Sequence, residues 1–180
     1  AEANLVTHMT WVQSRLPGGR VESAGDLVLS DSGIPCDTFN FVCRARLGED
    51  PRPAIARVVS YFGSVRRPFS WWVGPRDRPP GLGQALLDAG FAAAESEVAM
   101  EADLGALAPA APAPEGLRIE RATTADGIRD YARVVAANWS PPDANVIGFY
   151  ELASPILRRP DAPIRLYVGY LGETPVATAE

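Results

Sequence analysis

The hydrophobic pattern of the first half of the chain alternates between helix and strand periods. Apolar positions in residues 5–16 lie three or four apart and stop at a Pro-Gly-Gly turn, which predicts a short amphipathic helix. Residues 38–47 alternate apolar and polar side chains, which predicts a half-buried strand whose odd-numbered positions all face the core. The other predicted elements are a strand over residues 26–30, a helix over 50–63, a strand over 69–73, a helix over 82–90, a strand over 91–100 and a turn over 103–107. This order favours a mixed α/β layer.

A second run of elements follows an Ala/Pro segment. Residues 108–114 read APAAPAP, which cannot continue a helix or a ladder and favours an extended spacer. We therefore predict a first domain over residues 1–107, a linker over 108–115 and a second domain over 116–180. Within the second domain, the pattern predicts a strand over 117–121, a helix starting at a Thr123/Asp126 capping box, a break at Ser140-Pro141-Pro142, a helix over 145–152 and a hairpin over 164–178.

The final hairpin is expected to be part of a larger sheet. Residues 164–170 are rich in β-branched and aromatic side chains, and the return strand begins only at Pro175. A two-stranded hairpin is marginally stable by itself in water. We therefore expect the chain to end inside a sheet rather than after one.

Charge and composition exclude several classes of protein function. The net charge is −5 and no basic stripe is present, which argues against a nucleic-acid partner. All seventeen basic residues are arginine, so Schiff-base chemistry and a P-loop are excluded. Two cysteines and one histidine cannot form a disulfide framework or a Cys/His zinc site, and we expect no metal. Neither a membrane-length apolar run nor a signal peptide is visible, so we expect a cytoplasmic protein without a membrane partner.

Two segments of the second half resemble a known family. Residues 116–123, GLRIERAT, and residues 166–178, LYVGYLGETPVAT, are similar to the opening of a GCN5-related N-acetyltransferase (GNAT) domain, which runs strand, helix, broken loop, helix and hairpin. In that family, a splayed strand and a Q/R-x-x-G-x-G/A loop follow the hairpin. The backbone amides of that loop hold the acetyl-CoA pyrophosphate at a helix N-terminus.

The first half resembles the domain that precedes the catalytic domain in some bacterial GNAT proteins. The resemblance rests on the leading helix, a PFSWWVGP strand, an LGQALLDAGF helix and a Met-x-x-Asp-Leu ending. It implies an α/β (α+β) fold class, with a degenerate GNAT-like N-terminal domain followed by the strand-helix-helix-hairpin half of a GNAT catalytic domain.

The resemblance implies an N-acetyltransferase that moves an acetyl group from acetyl-CoA to the amine of a small molecule or peptide. Because nothing after Glu180 supplies the cofactor loop, we expect this chain alone to be inactive, and no catalytic acid or base is assigned. The alternative is a non-catalytic interaction or regulatory module. Such a module would pair with a second chain, giving a homo-oligomer, through the open edge of its last sheet.

The sequence offers two sets of candidate site residues. Arg78, Gly81 and Gly83 match R-x-x-G-x-G and are the candidate acetyl-CoA loop in the first domain. The intervening Pro79 and Pro80 lack backbone donors, so a plain turn entering a packing helix is the favoured interpretation.

The second set flanks the break between the two helices of the second domain: Asn138, Trp139, Phe149 and Tyr150. The resemblance implies that this region forms one wall of the acceptor-substrate site, and ordinary packing of helix ends is the competing interpretation. Cys36 and Cys43 have no identifiable base beside them, and we interpret both as buried structural thiols.

Overall fold

The computed structural model describes residues 2–23, 25–98, 100, 102–106 and 112–180, which fall into two units, residues 1–99 and 100–180. Residue 107, the end of the predicted turn, and residues 108–111 of the predicted linker lie outside the described residues, and the described linker residues 112–115 carry neither helix nor strand. Both units combine helices with a sheet, as the predicted mixed α/β class requires.

The first unit is a four-stranded sheet between helices. Its elements are α1 (Glu2–Trp11), β1 (Arg20–Glu22), β2 (Val28–Asp31), β3 (Phe41–Cys43), α2 (Arg52–Val65), β4 (Ser70–Trp71) and α3 (Leu82–Asp88). The strand order is β1-β2-β3-β4; the first two pairings are antiparallel and β3–β4 is parallel. The three-residue strand β1 was not predicted, because so short a segment shows no clear period.

Strand β3 is buried on both faces, so the prediction of a half-buried strand was wrong. Phe41 and Cys43 pack with Val28 on the α1 side, whereas Val42 belongs to the larger core under α2 and α3. The prediction that odd positions share one face also fails, because Ala45 belongs to the core of Val42. Arg44 explains the change: its φ of 51° lies in the left-handed region and rotates the chain out of the strand alternation.

The parallel pairing of β3 and β4 covers two residue pairs, Phe41 with Ser70 and Val42 with Trp71. Both predicted strands, 38–47 and 69–73, are therefore much shorter than expected. The two chains meet again farther on, where the Arg78 amide donates to the Ala45 carbonyl at 3.0 Å. The segments that contain β3 and β4 therefore pair twice, once at the two strands and again at residues 45–47 and 78, with a short unpaired stretch in between.

A buried amide fixes the start of this parallel pair. The side chain of Asn40 is fully buried, and its Oδ1 accepts bonds from the backbone N–H of Ser32 at 2.8 Å and from its hydroxyl at 2.7 Å. Its Nδ2 donates to the carbonyls of Ile34 at 2.8 Å and Pro68 at 3.0 Å. Asn40 therefore joins the end of β2, the following loop and the chain entering β4.

A buried carboxylate ties the same region to helix α2. Asp31 accepts bonds from the Tyr61 hydroxyl at 2.7 Å and the Arg67 guanidinium at 2.6 Å, and from the Gly33 amide at 2.8 Å. A buried carboxylate without hydrogen-bond partners would be costly, so these three partners are needed where Asp31 lies. Asp31 and Asn40 together form a polar network beside the apolar core.

The predicted strand over residues 91–100 is wrong. The described residues 91–98 form no strand, and their side chains are exposed from Ala92 onward. Phe91 alone reaches the core, where its ring stacks edge-on against Phe69 at 5.5 Å. The rest of the segment is dominated by alanine, glutamate and serine, which have low strand propensity and little area to bury.

The second unit has the predicted order of strand, helix, helix and hairpin. Its elements are β5 (Leu117–Arg121), α4 (Ala125–Ala136), α5 (Ala144–Leu157), β6 (Tyr167–Leu171) and β7 (Thr174–Ala179). The sheet order is β5-β6-β7, and both pairings are antiparallel. Helix α4 packs on β6 and β7, and α5 packs against α4.

Several boundaries in the second unit differ from the prediction, among them the start of the hairpin, which lies at Tyr167 rather than at residue 164. The cap of α4 is Thr124 rather than Thr123, since the Thr124 hydroxyl accepts a bond from the Gly127 amide at 3.1 Å. Helix α5 extends through Pro155 to Leu157 instead of ending at Leu152. Burial of Ala153 and Leu157 stabilises this last turn despite the missing proline donor.

The sheet of the second unit is covered on one face by α4. Val168 and Tyr170 share the buried face, where the Tyr170 hydroxyl donates to Asp130 on α4. On the opposite face, Ile119 is 66% exposed and Leu171 is 46% exposed. The two faces of this sheet therefore differ sharply in burial.

We expect substitution of Asn40 by alanine to destabilise the first unit strongly. It would remove the acceptor of the buried Ser32 amide and hydroxyl and the donor to two partly buried carbonyls, at a cost of about 3 kcal/mol. Urea denaturation followed by tryptophan fluorescence measures this loss. The control is Asn145→Ala, whose exposed side chain should change the free energy of unfolding by less than about 0.5 kcal/mol. Equal stability of the two variants would contradict a structural role for the Asn40 amide.

Candidate functional site

Two of the predicted acceptor-site residues lie at the turn between α4 and α5. Asn138 follows the end of α4. Its side-chain amide donates to the Val135 carbonyl at 2.9 Å, which satisfies one of the last carbonyls of that helix. Trp139 follows it and is 41% exposed. An exposed tryptophan on a helix–helix turn offers a large apolar contact surface to a ligand.

The other two predicted residues lie inside α5. Phe149 and Tyr150 are about 8 to 9 Å along the helix axis from Ala144, at 1.5 Å per residue. Phe149 is buried, with its ring edge-on to that of Tyr150 at 5.4 Å. The structure therefore assigns the Phe149 ring to packing, and the substrate-wall role of the four residues stays a prediction.

Tyr150 belongs to a tyrosine pair that the sequence did not reveal. Its ring lies 5.0 Å from that of Tyr131 on α4, at an interplanar angle of 63°. The Tyr131 hydroxyl donates to a carboxylate oxygen of Glu180 at 3.3 Å. Burial raises the pKa of both tyrosines well above the usual range, and the negative charge of Glu180 adds to this effect. These hydroxyls therefore stay protonated in the folded protein and can act as hydrogen-bond donors.

A second tyrosine–carboxylate contact lies on the same side of the sheet. The Tyr170 hydroxyl donates to Asp130 at 3.0 Å, and the Arg118 guanidinium lies 4.8 Å from the centre of the Tyr170 ring. Burial, together with the bond to Asp130, raises the pKa of Tyr170. Helix α4 thus places Asp130 and Tyr131 next to each other, with Asp130 bonded to Tyr170 on β6 and Tyr131 bonded to Glu180, the residue that follows β7.

The predicted acetyl-CoA loop in the first unit forms a tight turn. Gly81 immediately precedes the seven-residue helix α3, and the Leu82 amide donates back to the Pro79 carbonyl at 3.0 Å. Pro79 and Pro80 have no amide hydrogen to offer. Two residues of this loop thus lack an amide hydrogen, and the Arg78 and Leu82 amides already have backbone acceptors, which favours the plain-turn interpretation.

The cysteines do not have the environment of nucleophiles. Both Cys36 and Cys43 are buried. Burial raises the pKa of the Cys43 thiol to about 11, and the nearby Asp77 carboxylate acts in the same direction. A thiol in this state is protonated at neutral pH and unreactive.

The part of the chain that the structure describes has neither a metal-binding cluster nor a membrane-length helix. No group of three or more histidine, cysteine, aspartate or glutamate side chains there is arranged to hold a metal ion. Among the described helices, none is both long enough and apolar enough to cross a bilayer.

Comparisons of the chain with protein-family models, with curated proteins and with solved structures found no match. The fold is therefore characterised by its own elements, as a mixed α/β chain with two sheets.

The buried tyrosine pair predicts a loss of stability in alkali. Because the folded-state pKa values of Tyr131 and Tyr150 are raised, their contribution to stability is complete below the unfolded value of about 10 and falls as the pH rises above it. We expect Tyr131→Phe to reduce the slope of the free energy of unfolding between pH 9 and 11, measured by urea denaturation. An unchanged slope in this variant would show that the Tyr131 hydroxyl is not buried in solution.

Proposed function

We propose that the protein is an N-acetyltransferase of the GNAT type, which transfers an acetyl group from acetyl-CoA to an amine. The observation that carries the proposal is the order of elements in the second unit. Two helices with a proline break between them connect β5 to an antiparallel hairpin, and β5 pairs with the first strand of that hairpin. This is the order in which the family's fold opens.

The first unit supports the proposal through its own element order. The β1–β2 hairpin is followed by β3, which separates from its parallel neighbour after two residue pairs, and then by a loop and helix α2. The family's cofactor half likewise runs from a hairpin through a splayed strand and a loop to a helix. We therefore propose that this unit is a degenerate half-repeat of the same fold.

The start of α2 explains why this repeat is proposed as degenerate. Pro51 and Pro53 have no amide hydrogen, and the Arg52 amide already donates to the Asp50 carboxylate at 3.1 Å. A helix N-terminus attracts phosphate through free amides and its positive dipole, and here a carboxylate of the chain occupies that position. On this basis we assign no acetyl-CoA binding to the start of α2.

The proposed reaction is direct attack of a neutral amine on the thioester carbonyl. The new C–N bond forms, the C–S bond breaks, the amine loses a proton and the coenzyme A thiolate takes one up. The protein has to hold the two reactants in line and stabilise the oxyanion with fixed donors. The exposed Trp139 would supply part of the amine-side wall, and we assign no catalytic acid or base.

A second candidate function rests on the sheet of the second unit. Strand β7 is at the edge of the sheet order, and the face opposite α4 carries the exposed Ile119 and Leu171. An open sheet edge beside an apolar face is suited to pairing with another chain. On this reading the protein is a non-catalytic module that associates with a second copy through β7 and this face.

Acetyl transfer tests the primary proposal. The product of the complete reading frame is incubated with acetyl-CoA and a panel of small amines and peptides, and release of the coenzyme A thiol is measured. We expect amine-dependent release, and Trp139→Ala should lower kcat/KM by about tenfold, a loss of about 1.4 kcal/mol in transition-state stabilisation. The matched control is Trp72→Ala, a similarly exposed tryptophan in the first unit, which should leave the rate unchanged.

Absence of transfer to every amine by a folded protein would contradict the acetyltransferase proposal. If transfer occurs but the two tryptophan variants behave alike, the activity stands and the substrate wall lies elsewhere.

Oligomeric state tests the second candidate. A module that pairs through its second-unit sheet should be a dimer in sedimentation equilibrium, and Ile119→Asp should dissociate it because a charge would then be buried in the interface. Val98→Asp is the control, since Val98 is exposed and lies outside any strand. A monomer at all concentrations, or a dimer insensitive to Ile119→Asp, would argue against this candidate.

A further inference from the structure

Two loops of the first unit meet at the carboxyl ends of its parallel strands. The chain after β3 and the chain after β4 are joined where the Leu47 amide donates to the Arg78 carbonyl at 3.1 Å and the Arg78 amide donates to Ala45. In open sheets, ligands bind preferentially outside the carboxyl ends of parallel strands. This junction brings four arginines to one end of the sheet: Arg44, Arg46, Arg76 and Arg78.

Arg46 is held in a fixed orientation at the junction. Its Nη1 donates to Asp77 at 2.9 Å, and Asp77 is itself buried and bonded to the Gly74 amide at 3.0 Å. The Nη2 of Arg46 donates to both carboxylate oxygens of Glu2, at 2.8 and 3.0 Å. One nitrogen of the guanidinium is thus held by the buried Asp77, while the other already binds the carboxylate of Glu2 on α1.

Two further guanidinium groups act on the same carboxylate. A hydrogen bond from Arg46 and the positive charges of Arg46, Arg76 and Arg44 hold the pKa of Glu2 below its usual value. Among the described residues, the Arg44 and Arg76 side chains have no hydrogen bond or ion pair of their own. Their charge near Glu2 is therefore available to a second or larger anion.

The backbone at Arg44 is strained. A left-handed φ is uncommon for a residue other than glycine, and such strain persists only where the surrounding structure imposes it. Here the conformation directs the chain away from the strand, and the Arg44 charge acts on the same Glu2 carboxylate as Arg46. Arg44, Arg46 and Arg76 lie near two carboxylates, Glu2 and Asp77. This is a local excess of positive charge in a chain of net charge −5.

We propose that Arg44, Arg46 and Arg76 form a binding site for a phosphate-type anion, and that the Glu2 carboxylate competes with this anion for Arg46. Guanidinium forks match the tetrahedral oxygens of phosphate, and a dianion gains from several positive charges where a carboxylate needs one. The site uses arginine side chains and does not involve the amides at the start of α2, where the Asp50 carboxylate disfavours anions. It goes beyond the proposed acetyl transfer and does not depend on it.

Isothermal titration calorimetry at constant ionic strength tests the proposal on the full chain. The probes are inorganic phosphate, pyrophosphate and a nucleoside diphosphate. We expect saturable binding that weakens at least tenfold in Arg44→Gln/Arg76→Gln. The matched control is Arg66→Gln/Arg165→Gln, which removes two exposed arginines, one of them also at positive φ, and should bind as the unmodified protein does.

The variant Glu2→Gln tests the competition. Removing the internal carboxylate while keeping a side chain of similar size should tighten binding several-fold. If Glu2→Gln gains nothing, the competition is refuted. Circular dichroism of each variant establishes that the first unit is folded, so a lost signal cannot be attributed to unfolding.

The three probes distinguish the source of the phosphate. Equal affinity for pyrophosphate and the nucleoside diphosphate supports a site that recognises phosphate groups alone, whereas tighter nucleotide binding supports a ligand whose nucleoside also makes contact. No saturable binding of any probe, or equal affinities in the two double variants, overturns the proposal.

Discussion

The first unit is shaped by the short length over which β3 and β4 run side by side. After the second residue pair, Arg44 adopts a left-handed conformation and the two chains separate, to meet again at Arg46 and Arg78. This separation explains why both strands are short and why Ala45 belongs to a different core from Cys43. It also explains how arginines from two distant loops come to lie at one end of the sheet. The left-handed conformation at Arg44 therefore affects both the packing of this unit and the placement of its surface charges.

Buried polar groups hold the chain on either side of the separation. At the start of the parallel pair, the Asn40 side chain makes four hydrogen bonds to neighbouring segments and the Asp31 carboxylate makes three. At its far end, Asp77 binds Arg46 and the Gly74 amide. Apolar packing is non-directional and would allow neighbouring strands to slide. A buried amide or carboxylate is stable only with its partners in place, so it selects one arrangement.

The second unit relies more on local signals. Helix α4 has an apolar stripe and a threonine cap, and the hairpin has β-rich strands around a glycine turn. Its sheet buries one face under α4 and leaves the other largely open. The two functional proposals use different parts of this arrangement. Acetyl transfer uses the turn between α4 and α5, and the interaction module uses the open face and the edge strand.

The sequence by itself determined the mixed α/β class, the order of elements in the second unit and the positions of α2 and α3. Each of these depends on periodicity, caps and turns, which act over a few residues. Tertiary structure alone decided the abrupt end of β3 and the continuation of α5 through Pro155, because long-range contacts override local propensity. The same holds for the candidate sites. Tyr150 could be singled out from its place in the chain, but its contacts with Tyr131 and Glu180 arise only when helices and sheet pack together.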